Sequence, residues 1–137
     1  MATVLSHLFV HVTSFVRSKA FYVDTLGLEL LDGNGEDGSG YMRVGGADGF
    51  SIGMEERPGA EVGAAGIEIV VRVDDVDAMW RRLSTKGYPV VSPPADQPWG
   101  MRHAWLLDPD GYRISISSPV GAATQRADSR GSVPGRC

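Results

Sequence analysis

The sequence predicts an α+β fold made of two copies of a strand–helix–strand–strand–strand unit set side by side. Three observations carry that prediction. The chain repeats itself: His7-Leu8-Phe9-Val10-His11-Val12 lies on Glu68-Ile69-Val70-Val71-Arg72-Val73, and with one residue of slip Gly27 meets Gly87. Further on, Ala47-Asp48-Gly49-Phe50-Ser51-Ile52 falls on Pro109-Asp110-Gly111-Tyr112-Arg113-Ile114. An amphipathic helix follows the first strand of each copy, and strands with a period of two fill the remainder. One unit covers a single face of its sheet with its helix and leaves the other open. Two units together curl that open face into a cup.

Each element has a local reason. Val4 to Val12 alternates, with Leu8, Val10 and Val12 on one face and His7, Phe9 and His11 on the other. Ser14 is placed to cap a helix that runs through about Thr25 and stops before Gly27. Leu28–Leu31 reads as a short strand, and the polar, glycine-rich run Asp32–Gly40 as a loop. Tyr41–Val44 and Phe50–Met54 are strands around a Gly-Gly-Ala-Asp-Gly turn, and Glu55–Gly66, with Pro58 and three glycines, is a linker. Ile67–Val73 is a strand. Asp75 caps a helix whose Val76, Met79, Trp80 and Leu83 recur at i, i+3, i+4 and i+7. It ends at Lys86-Gly87, and Tyr88–Val91 gives another short strand.

The clearest local signal lies near the end. Two strands flank Asp108-Pro109-Asp110-Gly111, where proline fixes one turn dihedral and glycine accepts a positive φ. After them Tyr112, Ile114 and Ile116 alternate with Arg113, Ser115 and Ser117. The expected organisation is one domain over residues 1–118, built of modules spanning about 1–57 and 65–118, followed by a disordered tail over 119–137.

Composition narrows the function. The 137 residues, 42% apolar, supply one core, and no apolar run approaches the ~18 residues of a membrane span. No secretory leader is evident, so a cytoplasmic location is expected. Cys137 is the single cysteine, which excludes a disulfide framework and a thiolate metal site. With a net charge of −4 and no basic cluster, nucleic acid is not an expected partner.

Three passages then point to a family. His7 is followed by Phe21-Tyr22 and Leu26-Gly27-Leu28; Val73-Asp74-Asp75-Val76-Asp77 opens the second helix; and Asp108-Pro109-Asp110-Gly111-Tyr112 makes the turn. Together they resemble the vicinal oxygen chelate superfamily, which holds glyoxalase I, extradiol dioxygenases and bleomycin-resistance proteins. The resemblance implies paired βαβββ modules forming a curved mixed sheet, and a homodimer with clefts at its interface.

In the enzymes of that superfamily, metal ligands come from the first and last strands of each module. The matching positions here are His7, Gly53, Glu68 and Ser115. Imidazole and carboxylate are good ligands, whereas glycine has no side chain and serine only a neutral hydroxyl. Glu68 also has a cost of its own, because a carboxylate inside an Ile-Val-Val strand is unfavourable unless paired. His7, at the equivalent position of the other copy, is its expected partner. His11 and His103 are further imidazoles that the sequence does not bring within reach of His7.

The run Asp96-Gln97-Pro98-Trp99-Gly100-Met101-Arg102 looks like the loop of antibiotic-binding members, which lack metal and hold a drug in clefts between subunits. An indole at Trp99 stacks on aromatic groups and cations. Phe9, Val70 and Arg72 line the cup if His7 and Glu68 do, and Arg72 or Arg113 meets an acidic ligand group. Trp105 faces either the cup or the helices. The expected function is sequestration of an aromatic or cationic natural-product antibiotic, conferring resistance without metal or catalysis. The alternative is a lyase, isomerase or dioxygenase that uses His7 and Glu68 to hold a divalent ion.

Overall fold

The computed structural model describes residues 3, 5–33, 40–46, 49–64 and 66–121. It divides into two compact units, Met1–Gly63 and Ala64–Cys137. The first contains strand β1 (His7–Val12), helix α1 (Phe15–Lys19) continuing as a π-helical segment (Ala20–Thr25), and strands β2 (Glu29–Gly33), β3 (Tyr41–Gly45) and β4 (Ser51–Glu56). The second contains β5 (Glu68–Arg72), α2 (Val76–Thr85), β6 (Val90–Asp96), β7 (Met101–Leu107) and β8 (Arg113–Pro119). Their sheets have the same order, β1-β4-β3-β2 and β5-β8-β7-β6. In each, the first strand lies parallel to the last and the other pairings are antiparallel. The expected pair of βαβββ modules is therefore present, and the internal repeat is a repeat of topology.

The sequence periods explain the cores. In the first unit Val12, Met42, Val44, Ile52 and Met54 fill one face of the sheet, and Phe15, Phe21, Tyr22 and Leu26 are buried as well. In the second, Ala104, Leu106, Ile114 and Ile116 are buried together with Val76 and Leu83 of α2. Both caps are as expected: Ser14 Oγ accepts from Arg17 N–H at 3.2 Å, and Asp75 Oδ1 from Ala78 N–H at 3.0 Å. Both helical segments give way to a glycine with positive φ, Gly27 at 90° and Gly87 at 92°, which is why these two positions coincide in the repeat.

Three elements depart from expectation. The first helix does not stay α-helical to Thr25. From Ala20 it widens, with Leu26 N–H donating to Phe21 O at 2.8 Å and Thr25 Oγ1 to Ala20 O at 2.9 Å. The slower turn per residue suits two consecutive buried rings, Phe21 and Tyr22, which pack edge to face at 4.8 Å. Strand β2 runs to Gly33, into the expected loop, whose residues 34–39 lie outside the described residues. Strand β6 runs through Pro93-Pro94 to Asp96. It is the outer strand of its sheet, where missing N–H donors are tolerated, and its pairing with β7 slips on both sides of Ser92. Residues 47–48 of the expected turn and 122–137 of the expected tail also lie outside the described residues.

One ion pair ties α2 to the sheet. Arg102 on β7 donates from Nε and Nη2 to the two carboxylate oxygens of Asp77, each at 2.9 Å, and from Nη1 to Asp96 at 2.9 Å. That bonding holds the Asp77 carboxyl below the usual carboxylate range. The Asp77 side chain is 43% exposed and solvent-screened, so Arg102→Ala is expected to cost only about 1 kcal/mol in urea unfolding. Its contribution is present above the unfolded-state pKa of Asp77, 3.8, and is lost as pH falls through the lowered folded value.

Candidate functional site

Arg102 fixes which way β7 faces. Its partner Asp77 is on α2, so Arg102, Ala104 and Leu106 face the helix, and His103 and Trp105 lie on the opposite, open face. This settles the orientation of Trp105. Cross-strand register aligns Trp105 with Ser115 and Val70, and His103 with Ser117 and Arg72. Leu107, Arg113 and Glu68 form the next row.

On that face the side chains make a continuous set. Glu68 Oε1 accepts from Trp105 Nε1 at 3.0 Å and from Arg113 Nε at 3.2 Å, while the Arg113 guanidinium lies 5.9 Å from the Trp105 ring centre. His103 stacks on Trp105 with ring centres 5.0 Å apart and planes 13° apart. Trp99 meets His103 edge-on at 5.7 Å and 67°. It is held there by a tight turn: Gly100 N–H donates to Gln97 O at 3.1 Å, and Gln97 N–H to Met101 O at 2.8 Å.

The protonation of His103 follows from these contacts. Trp99 Nε1–H points at His103 Nε2 at 3.4 Å, so that nitrogen accepts. The ring proton then resides on Nδ1 and is donated to Ser115 Oγ at 2.7 Å. Burial lowers the His103 pKa; nearby Glu68 pulls it up, and Arg72 pushes it down again. The result is a neutral imidazole between two indoles, flanked by an anion and two cations.

The first unit's open face is built differently. His7 is exposed and its Nδ1 meets Ser6 Oγ at 2.8 Å. Phe9 stacks on Tyr41 at 6.3 Å and 13°, and meets His11 edge-on at 5.9 Å. A Cβ added to Gly53 would come within 3.2 Å of Phe9, His7 and Tyr41, whose side chains close over the bare backbone.

The model of the Glyoxalase/Bleomycin resistance protein/Dioxygenase superfamily matches residues 4–116. The chain belongs to this superfamily. Among solved structures, it is 29% identical to TnmS3, an antibiotic binding protein from Streptomyces sp. CB03234, with a TM-score of 0.66 over 86% of this chain and 97% of that one. A glyoxalase/bleomycin resistance protein from the same Streptomyces is 32% identical, with a TM-score of 0.63 over 83% of this chain and all of that one. An uncharacterized protein of Mycobacterium bovis is 37% identical over 59 residues, which is 43% of this chain and 39% of that relative's length. No helix among the described residues is long and apolar enough to cross a membrane.

The superfamily's metal enzymes set a standard for the four ligand positions, and this donor set does not meet it. Gly53 offers nothing, the Ser115 hydroxyl is buried on His103, and the Glu68 carboxylate already serves Trp105 and Arg113. Among the described residues no three His, Cys, Asp or Glu side chains gather into a group that could hold a metal ion. Glu68, at an exposed strand position, finds two donors within its own unit, Trp105 and Arg113.

The structure thus brings Glu68, Trp99, Trp105, Arg113 and Ser115 into one set, with Val70 and Arg72 on the same face, and leaves His7 and Phe9 on the first unit. The residue that joins the set, His103, was not among the expected ligand contacts. Its signal was present: a histidine two residues before a tryptophan, facing a serine on the next strand of an unambiguous hairpin.

Proposed function

We propose that this protein binds and sequesters an aromatic natural-product antibiotic, and that the Trp99–His103–Trp105 set of the second unit is the recognition surface. The observation that carries the reading is the neutral imidazole held between two indoles. The partly exposed rings of Trp99 and Trp105 against it offer flat, polarizable surface. Glu68 and Arg113 at its margin orient a polar substituent. Likeness to an antibiotic binding protein over most of both chains supports the same class of ligand. In this reading binding requires no metal, and the protein acts in the cytoplasm as a homodimer, a state that light scattering measures.

The test is a tryptophan-fluorescence titration in EDTA with bleomycin and a panel of polycyclic aromatic antibiotics. Saturable quenching is expected, and Trp99→Ala is expected to weaken binding about tenfold, the loss of one aromatic contact. Quenching that disappears in EDTA sinks the metal-free reading. Quenching that Trp99→Ala leaves untouched moves the ligand away from this surface.

A further inference from the structure

The two indoles beside His103 are anchored to acceptors of different kinds. Trp105 Nε1 donates to the Glu68 carboxylate at 3.0 Å, and Trp99 Nε1 to the bare Nε2 of the imidazole at 3.4 Å. His103 Nδ1–H is committed to Ser115 Oγ at 2.7 Å, so a proton taken up by the ring lands on Nε2. Two N–H groups then face each other, and the positive edge of the Trp99 indole meets a cation. The edge-on approach turns from attractive to repulsive. Trp105 already offers the ring its face and gains from the same charge.

The charged groups around the imidazole leave this conflict in place. On β5, Glu68 favours the cation and Arg72, in the His103 row, opposes it. Arg113 on β8 is paired with Glu68, while Asp96 on β6 and Asp77 on α2 are bonded to Arg102. Trp99 is half-buried and sits at the turn between β6 and β7, so its indole can swing outward without unpairing a strand. Water then reaches Nε2–H, and proton uptake and release of the indole become one event.

We infer that Trp99 and His103 form a pH-operated latch, which holds the indole against the imidazole at neutral pH and frees it when the ring is protonated. Its consequence rests on the recognition surface proposed above, which is whole at neutral pH and loses Trp99 in acid. The latch itself belongs to the ligand-free protein.

The test follows the ¹⁵N-labelled, ligand-free full chain by NMR from about pH 8 to 4. Trp99→Phe assigns the Trp99 indole N–H resonance by its loss. That resonance is expected to move with the same midpoint, below pH 6.5, as the His103 ring protons. The indole of Trp80, on α2 at the opposite face of the sheet, should not follow it. His103→Gln keeps an acceptor that does not titrate and should hold the Trp99 resonance fixed. A Trp99 resonance that stays put while His103 titrates, or moves with a different midpoint, overturns the latch. So does one that still moves in His103→Gln, or a His103 that stays neutral until the chain unfolds. If His103→Gln does not fold, the shared midpoint in the unaltered protein decides alone. Failure of antibiotics to bind at neutral pH sinks the proposed function and leaves these resonances as they are, whereas a fixed Trp99 resonance sinks the latch and leaves neutral-pH binding untouched.

Discussion

Asp108→Ala should destabilise the protein by about 3 kcal/mol, seen as a lower urea midpoint with an unchanged slope. Asp108 is 2% exposed. Its Oδ1 accepts from Tyr112 N–H at 2.8 Å and Asp110 N–H at 2.9 Å, while its own N–H donates to Tyr112 O at 2.9 Å. One carboxylate oxygen therefore satisfies two backbone donors in the turn between β7 and β8, the two central strands of their sheet. Alanine removes the acceptor that Asp108 gives to the buried Tyr112 N–H, and an unmade buried hydrogen bond costs more than a made one contributes. Asp108→Asn keeps an oxygen in place and should lose less than about half as much. Equal losses in the two variants would place the effect in turn propensity instead of in the accepted bonds.

His103→Ala is expected to cost about 3 kcal/mol and to remove a slope in the pH dependence of stability. The ring is 1% exposed and touches Trp99, Trp105 and Ser115, so its loss opens a cavity and strands the buried Ser115 hydroxyl. The pH effect has a definite sign. Burial holds the folded pKa below the ordinary value of 6.5, so on acidification the unfolded chain takes up a proton first. The contribution is complete above about pH 6.5 and declines as pH falls toward the folded value. Urea midpoints measured between pH 7.5 and about 5 should fall for the unaltered protein. His103→Phe keeps a ring between the indoles and should flatten this dependence. An equal fall in His103→Phe would assign it to other groups.

Much of this was legible in the sequence where a single residue type determines the local outcome. Ser14 and Asp75 cap, Gly27 and Gly87 stop, and Asp108-Pro109-Asp110-Gly111 turns, because each supplies a group or a dihedral that few others can. The repeat added topology, since the same order of elements has the same way to bury its helix. Periodicity failed where both faces look alike. Strand β7 has Ala104 and Leu106 on one side and Met101, Trp105 and Leu107 on the other, so the tryptophan's side was decided by Asp77, far away in sequence. The π-helical widening was hidden for a similar reason: Phe21-Tyr22 fits an α-helix equally well until both rings must be buried. Within the site, spacing found the tryptophans and Glu68 but not the donors that Glu68 meets, because Trp105 and Arg113 come from other strands.

The prolines of β6 have a consequence beyond the second unit. An outer strand is a template on which another chain can add itself, hydrogen bond by hydrogen bond. Pro93 and Pro94 remove one donor from the outer edge and one from the side facing β7, and the slips on either side of Ser92 break the regular spacing. Both features blunt β6 as a template for a neighbour's strand. A sheet edge that does not recruit further chains lets a protein reach high concentration without nucleating fibres.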